Sequence, residues 1–93
     1  MTVLSHDEIT DHLSHRPHWS IESGELVRTF IFETFPEAIA FVNKVAEIAE
    51  ESNHHPDIDI RYNRVRLALV SHDAGGITSK DFAVAAGADK VSQ

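Results

Sequence analysis

The stretch Asp57-Ile58-Asp59-Ile60-Arg61-Tyr62-Asn63-Arg64-Val65-Arg66-Leu67-Ala68-Leu69-Val70-Ser71 decides the fold. From Asp57 to Tyr62 apolar and polar side chains alternate strictly, Ile58, Ile60 and Tyr62 on one side and Asp57, Asp59 and Arg61 on the other. Period two is the mark of a strand with one covered face. Asn63-Arg64 reads as a tight turn and Val65 to Ser71 as the returning strand, so the segment is an antiparallel hairpin. Tyr62 is expected to pack in the core.

Upstream, Trp19 to Glu22 and Leu26 to Glu33 read as a second pair of strands around Ser23-Gly24. Leu26, Arg28, Phe30 and Phe32 share one face of the longer strand, and the phenylalanines are expected to point into the core. Helix signals flank the hairpins. Ser5-His6-Asp7-Glu8 is a capping box, predicting a helix from about His6 to Ser14 that ends before Arg16-Pro17. Thr34-Phe35-Pro36-Glu37 opens a second helix, about Pro36 to Glu51, with Ala38, Phe41, Val42, Val45, Ile48 and Ala49 as its apolar stripe. Gly75-Gly76 breaks the chain, and Thr78-Ser79-Lys80-Asp81 starts an alanine-rich third helix to about Lys90, with Phe82 as its large anchor. The order is α-β-β-α-β-β-α. Short strand connections make the sheet antiparallel, and the expected fold is α+β: a four-stranded antiparallel sheet with three helices on one face.

Residues 1–93 are enough for one domain and no more. A core of this size is marginal alone, and one sheet edge is left to cover, so a homodimer or homotetramer is expected. The formal charge is −7, which speaks against direct nucleic-acid binding. There is no cysteine for disulfides or thiolate chemistry, and no apolar run of membrane-spanning length. The start, Met1-Thr2-Val3-Leu4, lacks the basic-then-apolar pattern of a signal peptide, so a cytoplasmic protein is expected.

Among seven histidines, His54 and His55 are adjacent and fixed by Pro56, and His72 follows seventeen residues after His55. Three side chains that titrate near neutrality point to proton transfer or metal binding. The competing readings are a helix-end cap for His54 and a strand-end residue for His72. A three-histidine zinc site is a further alternative. Against it, adjacent histidines rarely aim at one ion, and no His-x-x-x-His spacing accompanies them.

The pattern Glu50-x-x-x-His54-His55-Pro56, then Tyr62, His72 and Asp81, closely resembles the signature of pterin-4a-carbinolamine dehydratases. Trp19, Phe30-x-Phe32, Tyr62-Asn63 and Gly76-Ile77-Thr78 fit as well. His18 before Trp19 and Asn53 before the histidine pair depart from the usual pattern. The resemblance implies dehydration of 4a-hydroxytetrahydropterin to the quinonoid dihydropterin, recycling the cofactor of aromatic amino acid hydroxylases, with a pterin substrate and no metal or other cofactor. It implies His54 and His72 as the acid/base candidates, with His55 positioning substrate. Pro56 then aims the pair. Glu50, one turn before His54, orients an imidazole or is merely solvated. Asp81 binds a donor near the site or, the safer reading, caps its helix. Trp19 is a candidate wall for a flat pterin. Some relatives act as dimerisation cofactors for a transcription factor, so an interaction module with a vestigial pocket remains a second reading. His6, His12, His15 and His18 match no part of the signature and are read as surface residues.

Overall fold

The computed structural model describes residues 2–93. Its elements are α1 (His6–Ser14), β1 (Ser20–Glu22), β2 (Glu25–Ile31), α2 (Phe35–Ser52), β3 (Asp57–Arg61), β4 (Arg64–Leu69) and α3 (Ser79–Val91). The strands form one antiparallel sheet in the order β1-β2-β4-β3. Among the described residues no helix is long and apolar enough to cross a membrane.

Local chemistry sets the boundaries. Ser5 and Glu8 close the expected capping box: the Ser5 N–H donates to Glu8 Oε1 at 2.8 Å and the Glu8 N–H to Ser5 Oγ at 3.2 Å. Donation by the Ser5 backbone N–H, then the Ser5 hydroxyl, holds the Glu8 carboxyl below its ordinary range. Ser23 and Gly24 both have positive φ (51° and 79°), the primed turn that matches strand twist in a two-residue hairpin.

The cross-strand register explains the core. Phe30 stands opposite Val65, which stands opposite Ile60; Arg28, Leu67 and Ile58 form the next row. These rows face the helices. Leu26, Phe30, Val65, Leu67 and Leu69 are buried there against Phe41 and Val45 of α2 and Phe82, Val84 and Ala85 of α3. Val84, with no exposed surface, anchors α3 beside Phe82. The small residues of α3 have a second use. A Cβ added at Gly87 would lie 3.1 Å from Ile48 Cγ2, so the glycine lets α3 lie close to α2.

Two expectations need correction at β3. The turn is Tyr62-Asn63, one residue earlier than Asn63-Arg64, because Arg64 pairs with both Ile31 and Arg61. Asn63 secures it: its Nδ2 donates to the Phe32 carbonyl at 2.7 Å, and its own carbonyl accepts from Phe32 N–H at 2.9 Å. Tyr62, at φ 55°, is thrown outward rather than into the core. The residue is 71% exposed, and its ring lies parallel to that of Phe35 at 6.4 Å. Ile58 and Ile60 face the helix side as expected, but β3 is an edge strand and each stays 37% exposed.

Candidate functional site

Helix α2 ends where Asn53 takes the left-handed conformation (φ 49°, ψ 42°), a region that asparagine tolerates better than most residues. The His54 N–H then donates back to the Ala49 carbonyl at 3.1 Å. Pro56 biases His55 toward an extended backbone and leads directly into β3. The chain thus reverses at a fixed point and delivers two imidazoles beside the end of the sheet.

His72 arrives from the other side. The chain leaves β4 after Leu69, earlier than the expected Ser71, and Ser71 makes an isolated bridge to Gly76. The Ser71 carbonyl accepts from the N–H groups of Ala74, Gly75 and Gly76, and its own N–H donates to the Gly76 carbonyl. His72 is the first residue of the tight loop so closed, and it is exposed.

His54, His55 and His72 together line one groove of about 240 Å³, with Asn53, Asp73 and Lys80 completing its polar rim. Val70 and Ser71 also contribute. The sequence reading did not single out Asp73, Lys80 or Ser71. Their only signal was proximity to His72 and Asp81 in the chain.

Beneath the groove lies a buried network. Asp81 has no exposed surface. Its Oδ2 accepts from the Thr78 N–H at 2.8 Å and from Ser71 Oγ–H at 2.9 Å; its Oδ1 lies 2.5 Å from His54 Nε2. The helix cap and the contact to a site histidine, posed as alternatives, are both present. Ser71 Oγ and Thr78 Oγ1 are 2.8 Å apart. Because the single Ser71 proton goes to Asp81, Thr78 is the donor in that pair. Thr78 Oγ1 in turn accepts from the Lys80 N–H at 3.2 Å.

Glu50 does orient an imidazole, but that of His55, through a short contact to Nε2 at the exposed rim, and not that of His54. Trp19, expected as a wall, is not among the groove's lining residues. It is 4% exposed, packs edge-on against Phe30, and its indole N–H donates to Asp89 Oδ1 at 2.8 Å. His6, His15 and His18 are exposed, whereas His12 is half-buried and stacks on Phe82 at 4.5 Å. Among the described residues no group of three His, Cys, Asp or Glu side chains is arranged around a common ion position. The zinc alternative has no geometric support, because the Nε2 atoms of His54 and His55 turn to separate carboxylates.

The comparisons with known proteins show the family. Residues 2–91 match the family model described as pterin 4 alpha carbinolamine dehydratase, and the chain belongs to that family. A protein of Chloroflexus aurantiacus, provisionally named a pterin-4-alpha-carbinolamine dehydratase, is 62% identical over 91 residues, covering 98% of each chain. One from Acidobacterium capsulatum, named in the same way, is 57% identical, covering 92% of this chain and 94% of its own. The crystal structure of a transcriptional coactivator/pterin dehydratase from Brucella melitensis superposes with a TM-score of 0.95 at 28% identity, covering 99% and 100% of the two chains. A pterin dehydratase-like RuBisCO assembly factor of the alpha-carboxysome shares the fold at TM-score 0.65 and 24% identity, over 80% of this chain and 86% of its own.

Proposed function

We propose that the protein dehydrates a 4a-hydroxytetrahydropterin to the quinonoid dihydropterin, with His54 and His72 as the acid/base pair and His55 holding the substrate. Family membership supports a dehydratase. The observation that carries the chemistry is the meeting of three imidazoles in one groove, two from the end of α2 and one from the loop after β4. Loss of the 4a oxygen needs a proton delivered to it, and the ring nitrogen must give one up. Two imidazoles on different chain segments can do both near neutral pH without a metal or redox group. A cytoplasmic setting, a homo-oligomer and a functional link to an aromatic amino acid hydroxylase belong to the same reading.

The test is turnover of freshly generated carbinolamine, with the uncatalysed decay subtracted, before and after treatment with a chelator. Activity that survives chelation supports the reading. Activity that disappears and returns with zinc overturns it. The Brucella melitensis protein is described as a transcriptional coactivator as well as a pterin dehydratase, which favours one other reading, an interaction module built on the same fold. A folded protein with no turnover above background, that retains a partner protein from its host, would establish that role instead.

A further inference from the structure

The two candidate acid/base histidines differ in what stands behind them. His54 Nε2 faces Asp81 Oδ1 at 2.5 Å. Among the described residues the other partners of the Asp81 carboxylate are donors, the Thr78 N–H and the Ser71 hydroxyl, so the carboxylate accepts throughout. His54 Nε2 must therefore carry a proton and donate it. The other ring nitrogen, Nδ1, has no hydrogen-bond partner among the described residues, and no buried side-chain nitrogen there lacks one. Nδ1 is consequently open to solvent, and His54 lines the groove. His72 is different: it is exposed, and among the described residues no carboxylate pairs with it.

We propose that Asp81 locks His54 in the Nε2–H tautomer, so that its Nδ1 lone pair faces the groove as the base while His72 supplies the acid, and that Ser71 is the positioning residue joining the two. This division of roles rests on the dehydratase reading of the groove. Nδ1 of His54 takes the proton from the ring nitrogen. The electron pair of that N–H bond becomes the new C=N bond as the C4a–O bond breaks. The departing oxygen takes a proton from His72 and leaves as water. His54 ends with one proton more and His72 with one fewer, and exchange with solvent resets both. The positive charge that His54 gains lies against the Asp81 carboxylate, which gives the buried acid a task beyond capping α3.

Ser71 makes the arrangement a unit. Its hydroxyl donates to the carboxylate that orients His54, and its carbonyl gathers the three amides that close the loop carrying His72. Ser71 is 2% exposed at the floor of the groove, and its hydroxyl is turned to Asp81 and Thr78.

The tautomer is read directly by long-range proton–nitrogen NMR of the histidine rings in the 15N-labelled full chain at alkaline pH, with His54 assigned by its loss in His54→Gln. The expected result is a protonated Nε2 and a bare Nδ1. A protonated Nδ1 overturns the proposal even if the protein is an active dehydratase. Absent turnover with the expected tautomer would instead count against the dehydratase reading, so the two failures are distinguishable. Asp81→Asn supplies the second arm. Its amide oxygen can still accept from Thr78 and Ser71, while its NH2 donates to His54 Nε2 and drives the proton to Nδ1. The variant should show the reversed tautomer and turnover lower by about 10²–10⁴-fold. An unchanged tautomer and rate would refute the assignment. Ser71→Ala should lower kcat by up to about 10²-fold with little change in KM, and Ser71→Thr should restore most of it. A Ser71→Ala effect confined to stability, with kcat per folded molecule intact, would remove Ser71 from the proposal.

Discussion

Replacing Asp89 by alanine should cost stability and leave turnover per folded molecule unchanged. Asp89 accepts from the Trp19 indole at 2.8 Å, from Arg28 at 2.6 Å and from Arg16 at 3.2 Å. Trp19 is buried, so its N–H would be left without an acceptor, at about 1–3 kcal/mol. The Arg28 side chain is 19% exposed and lies over the Phe30 ring, 4.0 Å from its centre; it can reach water only by giving up part of that contact, at about 1 kcal/mol more. Arg16 is more than a third exposed and adds nothing measurable. The sum is about 2–4 kcal/mol, a large share of the roughly 5–15 kcal/mol that holds a small domain together. Urea unfolding followed by circular dichroism would show a lower midpoint at unchanged slope, and thermal unfolding a Tm lower by roughly 10–25 °C. Asp89→Asn, which keeps an acceptor for the indole, should lose about half as much. A loss below about 0.5 kcal/mol for the alanine variant would refute the reasoning. Reduced turnover in fully folded Asp89→Ala would return Trp19 to the active site as a substrate wall.

His54→Ala and His72→Ala should each lower turnover by about 10²–10⁴-fold, while His55→Ala chiefly raises KM; equal losses from the exposed His6→Ala would show the assignment to be wrong. The free edge of β3, with Ile58, Ile60 and Tyr62 partly or largely exposed, should be covered by another copy of the chain. Sedimentation should then give a mass that is a multiple of 10.4 kDa, and Ile60→Lys should shift it toward the monomer; a monodisperse wild-type monomer at micromolar concentration contradicts this. Glu8 predicts a pH effect. Its carboxyl is held low in the folded state, so its stabilising contribution is present above the ordinary carboxylate range and is lost as pH falls through the folded value. The difference in urea midpoint between wild type and Glu8→Gln should therefore shrink on acidification, and a constant difference would rule the capping carboxylate out as its source.

Which parts of this molecule the sequence made legible follows from the range of the interactions involved. The bounds of α1 and the Ser23-Gly24 turn are local chemistry, and they are found where the caps and turn residues put them. The alternation of β3 correctly assigned Ile58 and Ile60 to the helix-facing side. It could not reveal that β3 lies at the edge, because strand order is set by pairing across the sheet and not by periodicity. Trp19 was misread for a similar reason: its partner Asp89 is 70 residues away. The histidine cluster was legible through its spacing and its family resemblance. The Ser71–Asp81 bond that ties the cluster together was not, since a serine at the end of an apolar strand carries no pattern of its own.

The glycine at position 87 sets how closely the two long helices approach. Gly87 lies six residues after Asp81 on α3, about 9 Å along the axis. Ile48, which it meets, lies in the last turns of α2, six residues before His54. The two helices pack together here, and just beyond the end of α2 His54 contacts Asp81 of α3. A Cβ added at Gly87 would press on the Ile48 side chain, which must give by a few tenths of an ångström to admit it. Glycine inside a helix costs about 1 kcal/mol relative to alanine, and at this position that cost goes with the close approach of α3 to α2.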